Sequence, residues 1–237
     1  MESIFKIMFE VFKWLFSGAA VGLIVCLYHR LPRFNLLVNR LKSKLLNISM
    51  FWSVTVTYQG EFNSDTLTNV AETIRREFNR YDFQGKWSES ILFQVEGFSV
   101  KIELDNFIHG NYSEEKVVYN TLYVTISNIR TPFREAERLV ERVATILTNI
   151  ERHLNPLYAK YGTTVEFDRL NPYFGLYARQ LKATDTDLKS FNCVFHIHHA
   201  EKVHSTVVVS EKSVEITSPQ IHSFRELSWK YLALSVT

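Results

Sequence analysis

The stretch Ile4–Tyr28, IFKIMFEVFKWLFSGAAVGLIVCLY, decides how this 237-residue chain is organised. From Trp14 to Tyr28 it contains no charged residue and is almost wholly apolar. A helix needs about 20 residues to cross the hydrocarbon core of a bilayer, so the run is long enough only when it extends back to Ile4. The sequence therefore predicts a membrane-spanning helix within residues 1–31.

The residues that follow the apolar run argue against a cleaved signal peptide and against the buried helix of a soluble protein. A cleavage site needs small side chains, whereas Cys26–Arg30 reads CLYHR. Several cations come next, and the first acid after them is Glu61; the cations are Arg30, Arg33, Arg40, Lys42 and Lys44. Because cytoplasmic flanks carry such an excess of Lys and Arg, we predict a single pass through the inner membrane with the C-terminal part in the cytoplasm.

The polar residues of the stretch share one side of the predicted helix. Steps of four, three and four residues separate Lys6, Glu10, Lys13 and Ser17, so these residues form one stripe. Holding charges against lipid is costly, and several copies of the chain can instead turn the stripe toward each other or toward water. We therefore predict that the four residues line a pore in a homo-oligomer.

Two glycines add a second reason to expect self-association. Gly18 and Gly22 have the GxxxG spacing, with Ala19 and Ala20 between them. Small residues let two membrane helices approach closely. We predict that this side of the helix packs against a partner helix.

Residues 32–49 predict a second helix, which is basic and amphipathic. Pro32 ends the spanning helix, because it has no backbone N–H and clashes with the preceding turn. Leucines then recur at helical spacing between the cations, at Leu36, Leu37, Leu41, Leu45 and Leu46. Two interpretations of this helix stay open: it lies on anionic headgroups, or it packs on the soluble domain as a linker.

Residues 50–237 predict one cytoplasmic α+β domain with a mainly antiparallel sheet and helices packed on one side. Alternating apolar and polar residues predict strands joined by short turns, at 51–59, 90–95, 98–104, 117–126, 163–167, 190–198, 205–209 and 213–217. Helical spacing predicts helices over 64–81, 131–154 and 218–232, the second capped by Thr131 and Pro132. Strands outnumber helices without regular alternation, which excludes a doubly wound parallel fold.

No motif in the chain predicts catalysis, so we expect no enzyme and no cofactor. No Gly-rich phosphate loop follows a strand. His196 and His198 face one side of a predicted strand, but Cys193 faces the other, so a third metal ligand is not in place. The two cysteines, Cys26 and Cys193, fit a reducing compartment and no disulfide framework.

Basic residues interleaved with aromatic residues give the stronger indication of a binding site. The irregular segment after Asn171 places Tyr173 and Tyr177 close to Arg179 and Lys182, and Arg130 and Arg134 flank the predicted start of the long helix. Aromatic rings can stack on bases and arginines can hold phosphates. These six residues are the predicted contacts to a nucleotide or short oligonucleotide, although mixed charges on helix 131–154 also suit a solvated face.

The layout resembles the minimal membrane effectors of bacterial nucleotide-signalled antiphage defence. Examples are the CRISPR-associated single-span membrane proteins and the membrane effector of the Hailong system. The resemblance lies in the short polar-striped span, the basic juxtamembrane segment and the compact cytoplasmic domain, and not in a shared motif. It implies membrane permeabilisation controlled by a nucleotide made by a partner enzyme. The alternative is a membrane-anchored scaffold or protein-binding module without a pore.

Overall fold

A computed structural model describes residues 2–15, 18–46, 49–105, 120–167, 171–174, 192–198 and 204–232. Its helices are α1 (Glu2–Leu15), α2 (Gly18–Arg30), α3 (Pro32–Leu46), α4 (Ser64–Arg76), α5 (Ala136–Leu154) and α6 (Ile221–Leu232). Its strands are β1 (Ser49–Gly60), β2 (Tyr81–Lys86), β3 (Ser90–Val95), β4 (Phe98–Asp105), β5 (Asn120–Pro132), β6 (Tyr158–Glu166), β7 (Cys193–His198), β8 (His204–Val209) and β9 (Ser213–Ser218).

The described strands form one nine-stranded sheet in the order β2-β3-β4-β5-β1-β6-β9-β8-β7. Every pairing between neighbours is antiparallel. The predicted α+β class with a mainly antiparallel sheet is confirmed. The first strand of the domain lies at the centre of the sheet, so the N-terminal helices connect directly to its core.

Alternation along β1 explains why the sheet has one buried face. Val54 and Val56 are fully buried, whereas Thr55 between them is exposed. Val54 pairs with Ile126 and Val56 with Val124 on β5, so apolar residues meet apolar residues across the ladder. A bulge lies between Trp52 and Val54, and the threonine-rich opposite face stays open to solvent.

Helices α4, α5 and α6 cover the buried face. Helix α4 packs on β3 and β4, α5 on β5, and α6 on β6 and β9. Each helix presents one apolar stripe to the sheet, as Leu67 and Ile74 do on α4 and Ile146 and Leu147 on α5. Burial of such a side chain contributes about 1.5–3 kcal/mol, so this layer carries much of the domain's stability.

Two predicted boundaries were wrong. Helix α4 ends at Arg76 and not near Tyr81, which begins strand β2. Thr131 and Pro132 do not start the long helix; they are the last residues of β5, and α5 begins at Ala136. Thr131 is buried and its hydroxyl accepts a hydrogen bond from Trp52 Nε1 at 3.3 Å.

The N-terminal segment consists of α1, α2 and α3. Among the described residues no single helix is both long and apolar enough to cross a membrane. One bent pair, Ala20–Arg30 with Arg33–Leu45, meets the length and composition requirement together, and its two halves differ in direction by 107°. As predicted, Pro32 separates two helices and stands at the first position of α3.

Candidate functional site

The predicted stripe on α1 is exposed. The side chains of Glu10 and Lys13 are 71% and 66% exposed, and Glu10 Oε1 lies 3.9 Å from Lys13 Nζ. Lys6 is also exposed one turn earlier, and Lys13 Nζ lies 5.3 Å from the centre of the Phe9 ring. Ser17, the fourth predicted member, lies outside the described residues. The three described members therefore present alternating charges along one side of a helix.

Apolar side chains surround this stripe and continue along α2. They are between 42% and 64% exposed: Ile7, Met8, Phe9 and Val11 on α1, and Val21, Leu23, Ile24 and Val25 on α2. Soluble monomers rarely expose a contiguous apolar surface of this kind, which marks contact with a membrane or another protein. A Cβ atom added at Gly18 or Gly22 would meet no described atom within 4 Å, so this side of α2 is open to a partner helix.

The six predicted ligand residues do not form one site in the part of the chain that the structure describes. Tyr177, Arg179 and Lys182 lie outside it. Tyr173 is only 2% exposed; its ring lies 4.8 Å from that of Tyr231 and its hydroxyl donates to the Lys230 carbonyl at 2.9 Å. The structure therefore corrects the prediction for Tyr173, because a buried ring packed in the core is not accessible to a ligand.

Arg130 lies on the sheet, and Arg134 lies beside the end of α3. Arg130 is exposed on β5, and its guanidinium carbon lies 5.4 Å from the centre of the Phe51 ring. Arg134 Nε donates to the Lys44 carbonyl at the end of α3, at 2.9 Å. The helix N-terminus predicted at Thr131 lies instead at Ala136, because Thr131 belongs to a strand. Of the two, Arg134 therefore connects the domain to α3.

A groove of about 550 Å³ lies between α4 and α5. The C-terminal end of α5 lies beside the N-terminal end of α4. Leu157, three residues after α5, donates its backbone N–H to the carbonyl of Gln59, five residues before α4. The floor is apolar and is formed by Phe62, Val70, Ile150 and Leu154. The walls are polar, with Glu61, Thr66, Asn69, Glu72, Thr73, Arg76 and His153. With seven polar and four apolar lining residues, the groove is more polar than most small-molecule sites, which suits a charged or hydroxylated ligand.

The polar wall of the groove follows from the sequence of α4. Thr66, Asn69, Thr73 and Arg76 are spaced by three, four and three residues, so they form one row beside the apolar stripe that faces the sheet. Glu72, which also lines the groove, is paired with Arg75 Nη1 at 3.0 Å. Arg76 is the guanidinium of the lining, Glu61 and Glu72 are its carboxylates, and His153 contributes an imidazole. The groove is not evident from the sequence, because it exists only once α5 packs beside α4.

Outside the lining of the groove, Arg142 joins α5 to the end of α4. From α5 its guanidinium donates to both carboxylate oxygens of Glu96, at 2.9 and 3.3 Å, and to the Glu77 carbonyl at the end of α4. Its guanidinium carbon also lies 4.2 Å from the centre of the Phe78 ring. The hydrogen bonds from Arg142 lower the pKa of Glu96, although partial burial opposes the shift. The carboxylate is thereby kept charged and the α4 terminus fixed.

The histidine cluster does not form a metal site among the described residues, where no group of three His, Cys, Asp or Glu is suitably placed. The rings of His198 and His204 lie 4.3 Å apart edge to face, and His196 Nδ1 lies 3.3 Å from Thr206 Oγ1. Cys193 is buried on the opposite face, and burial raises the pKa of its thiol. A thiol with a raised pKa is a poor nucleophile.

No protein-family model matches the chain. No curated protein matches it at a significant level either. Function is therefore inferred from the chain's own residues and contacts.

Proposed function

We propose that the chain is a homo-oligomeric membrane effector. Its N-terminal helices form an ion channel or pore in the inner membrane, and its cytoplasmic α+β domain binds a nucleotide or oligonucleotide that gates the pore. Bacterial antiviral defence is the proposed setting, with the ligand made by a partner enzyme. The observation that carries the proposal is the charged stripe of α1 inside a broad exposed apolar surface.

The lengths of the helices favour a membrane span that includes α1. Helix α2 has 13 residues and spans ~20 Å, less than the ~30 Å of a hydrocarbon core. Helices α1 and α2 together with the two residues between them would span ~43 Å if helical throughout, which is long enough. The stripe of Lys6, Glu10 and Lys13 would then enter the bilayer, where charges are tolerated when they face a water-filled interior or one another. Assembly of several copies meets that requirement.

Assembly is tested by enlarging the open side of α2. Gly22→Leu fits the isolated protomer and raises helix propensity, so loss of the oligomer would report a blocked helix contact and not a melted helix. Ile24→Leu, on the opposite side of the same helix and 42% exposed, is the matched control. Light scattering in detergent should show a defined oligomer for wild type and Ile24→Leu, and smaller species for Gly22→Leu. A wild-type monomer would remove the pore and favour the anchored module.

The groove between α4 and α5 is the proposed ligand site. A base or sugar would rest on the apolar floor, Asn69 and Glu61 would meet its polar edges, and Arg76 would hold a phosphate. Removing one charge-assisted phosphate contact costs about 1.5–3 kcal/mol, or roughly 10- to 150-fold in affinity.

Calorimetric titration of a nucleotide panel into the full chain would test this site. Arg76→Ala should weaken binding within that range and reduce its salt dependence, whereas Arg152→Ala, an exposed cation of α5 outside the lining, should change affinity less than threefold. Equal affinities of the Arg76→Ala variant and the wild type would remove the groove as the site.

A further inference from the structure

Helix α3 has its polar and apolar sides reversed relative to a helix that packs on a soluble domain. Asn35, Asn39 and Ser43 recur every four residues and are buried or half-buried. Leu37, Leu41 and Leu45 recur with the same step, two residues further on, and are 44%, 52% and 76% exposed. At 100° per residue the two rows lie ~200° apart, on opposite sides of the helix. The leucines therefore point away from the protein.

Hydrogen bonds explain why the asparagine row faces inward. Asn35 is 5% exposed, and its Nδ2 donates to the Tyr28 carbonyl of α2 at 3.3 Å. Asn39 Nδ2 donates to Asn35 Oδ1 at 2.8 Å and to the Asn35 carbonyl at 3.0 Å. These bonds connect α3 to the end of α2 and fix the rotation of α3 about its own axis. The leucine row is therefore left exposed, and no described residue of the domain covers it.

Cations border the leucine row on both sides. Arg33, four residues before Leu37, lies at the N-terminal end of the row. Lys44 lies along one edge of the row and Lys42 along the other, and all three side chains are exposed. No acid occurs between Glu10 and Glu61 in the sequence. A helix with an apolar side bordered by Lys and Arg is suited to the boundary between headgroups and acyl chains of an anionic bilayer.

The direction of α3 fits the same surface. The 107° bend at Leu31 and Pro32 sets α3 nearly perpendicular to α2. If α2 runs along the membrane normal, α3 then runs along the membrane plane. On its other side α3 stays attached to the domain, because Leu36 packs against the core and Arg134 Nε donates to the Lys44 carbonyl.

We propose that α3 lies in the plane of the membrane on an anionic lipid surface. Its leucine row enters the headgroup boundary, its cations contact lipid phosphates, and the domain is held against the bilayer through Arg134. This inference rests on the proposed membrane location of α1 and α2. It assigns to α3 both a lipid contact and a domain contact, which the sequence left as alternatives.

The test places a fluorophore on the leucine row of the full chain. With Cys26→Ser and Cys193→Ala as background, Leu41→Cys carries an environment-sensitive dye, and Arg152→Cys at the far end of α5 is the control. The protein is reconstituted in liposomes of phosphatidylcholine alone and in liposomes that also contain about 30% phosphatidylglycerol. Both kinds include lipids brominated at a shallow position of the acyl chain. We expect a blue-shifted dye at position 41 that the brominated lipid quenches about twofold or more, and no quenching at position 152.

A charge variant tests the lipid class. Replacing Arg33, Lys42 and Lys44 by Gln should lower the ratio of docked to undocked α3 about fivefold per charge in anionic liposomes, which corresponds to ~1 kcal/mol each. The same variant should behave like the unsubstituted dye-labelled protein in neutral liposomes.

The other outcomes overturn the inference in distinguishable ways. A solvent-exposed dye at position 41, on protein that floats with the liposomes, would reject an in-plane α3 while leaving the membrane effector intact. A dye shielded from water but not quenched by brominated lipid would mean that a second copy covers the leucines. Protein that does not float with liposomes at all would contradict the proposed function itself.

Discussion

Arg142 gives the prediction whose magnitude follows most directly from the structure. Arg142→Met keeps the aliphatic stem and removes the guanidinium that joins α5 to Glu96 and to the end of α4. Hydrogen bonds to a charged group contribute about 1.5–3 kcal/mol, and we take ~1–2 kcal/mol here because the two side chains are 31% and 27% exposed. The contact with Phe78 adds about 0.5–1 kcal/mol. The variant should therefore lose ~1.5–3 kcal/mol of unfolding free energy.

Urea unfolding of the full chain in detergent, followed by tryptophan fluorescence, measures this loss. With a slope of about 1–3 kcal/mol per molar urea, the midpoint should fall by roughly 1 M. Arg138→Met is the control, because Arg138 is exposed one turn earlier on α5 and makes no ion pair with any described residue. Equal midpoints for wild type and Arg142→Met would refute the bridging role.

The difference in unfolding free energy between wild type and Arg142→Met should depend on pH in one direction. The folded-state pKa of Glu96 is lowered from 4.5, so its pairing stabilises the fold fully above that pH. As pH falls below about 4.5 and through the lowered folded-state pKa, the stabilisation is lost. The difference in unfolding free energy between wild type and Arg142→Met should therefore be constant above pH 5.5 (roughly one unit above the unfolded pKa). It should become smaller at acidic pH. A free-energy difference that stays the same at low pH would contradict the assignment of this stabilisation to the Arg142–Glu96 pair.

The remaining predictions concern a cap, the core and the joint to α3. Asn63→Ala removes a capping box, in which Asn63 Oδ1 accepts from Thr66 N at 3.0 Å, and should cost ~1 kcal/mol in urea unfolding. Leu147→Ala should cost about 2–5 kcal/mol because Leu147 is fully buried, whereas Leu157→Ala, at a 71% exposed position, should change stability by less than ~0.5 kcal/mol. Arg134→Ala removes the hydrogen bond to α3 and should speed amide exchange at the end of α3 about fivefold, with exchange in the sheet unchanged.

The sheet was predictable where its residues alternate strongly. The apolar positions of β1, β3 and β4 and the turn at Glu96 and Gly97 follow from local sequence, and the structure places them as expected. Strand β2 was missed because it is a short, mostly exposed edge strand: Tyr81 and Phe83 alternate with Asp82 and Gln84, but Gly85 ends the pattern after four residues. The false helix start at Thr131 has another cause: β5 stays paired with β1 as far as Pro132 opposite Ser49, and that pairing overrides a local capping pattern.

The candidate site was less accessible to sequence reasoning than the fold. The stripe on α1 was predictable because helical spacing alone brings Lys6, Glu10 and Lys13 together. The groove was not, because its walls come from two helices about 70 residues apart, which only the sheet brings side by side. Tyr173 shows the opposite error: an aromatic residue near cations resembles a stacking platform in sequence, but its ring fills the space beside Tyr231.

Ion flux across liposomes tests the central claim most directly. Wild-type protein and the triple variant Lys6→Leu, Glu10→Leu and Lys13→Leu are incorporated in equal amounts and assayed with the nucleotide panel, with Ile7→Leu plus Val11→Leu as a control on the same helix. Ligand-dependent flux in wild type and control, abolished in the triple variant, is the result we expect. Equal flux in the triple variant would contradict a pore lined by the stripe, and no flux from an oligomer that binds its ligand would identify an anchored binding module.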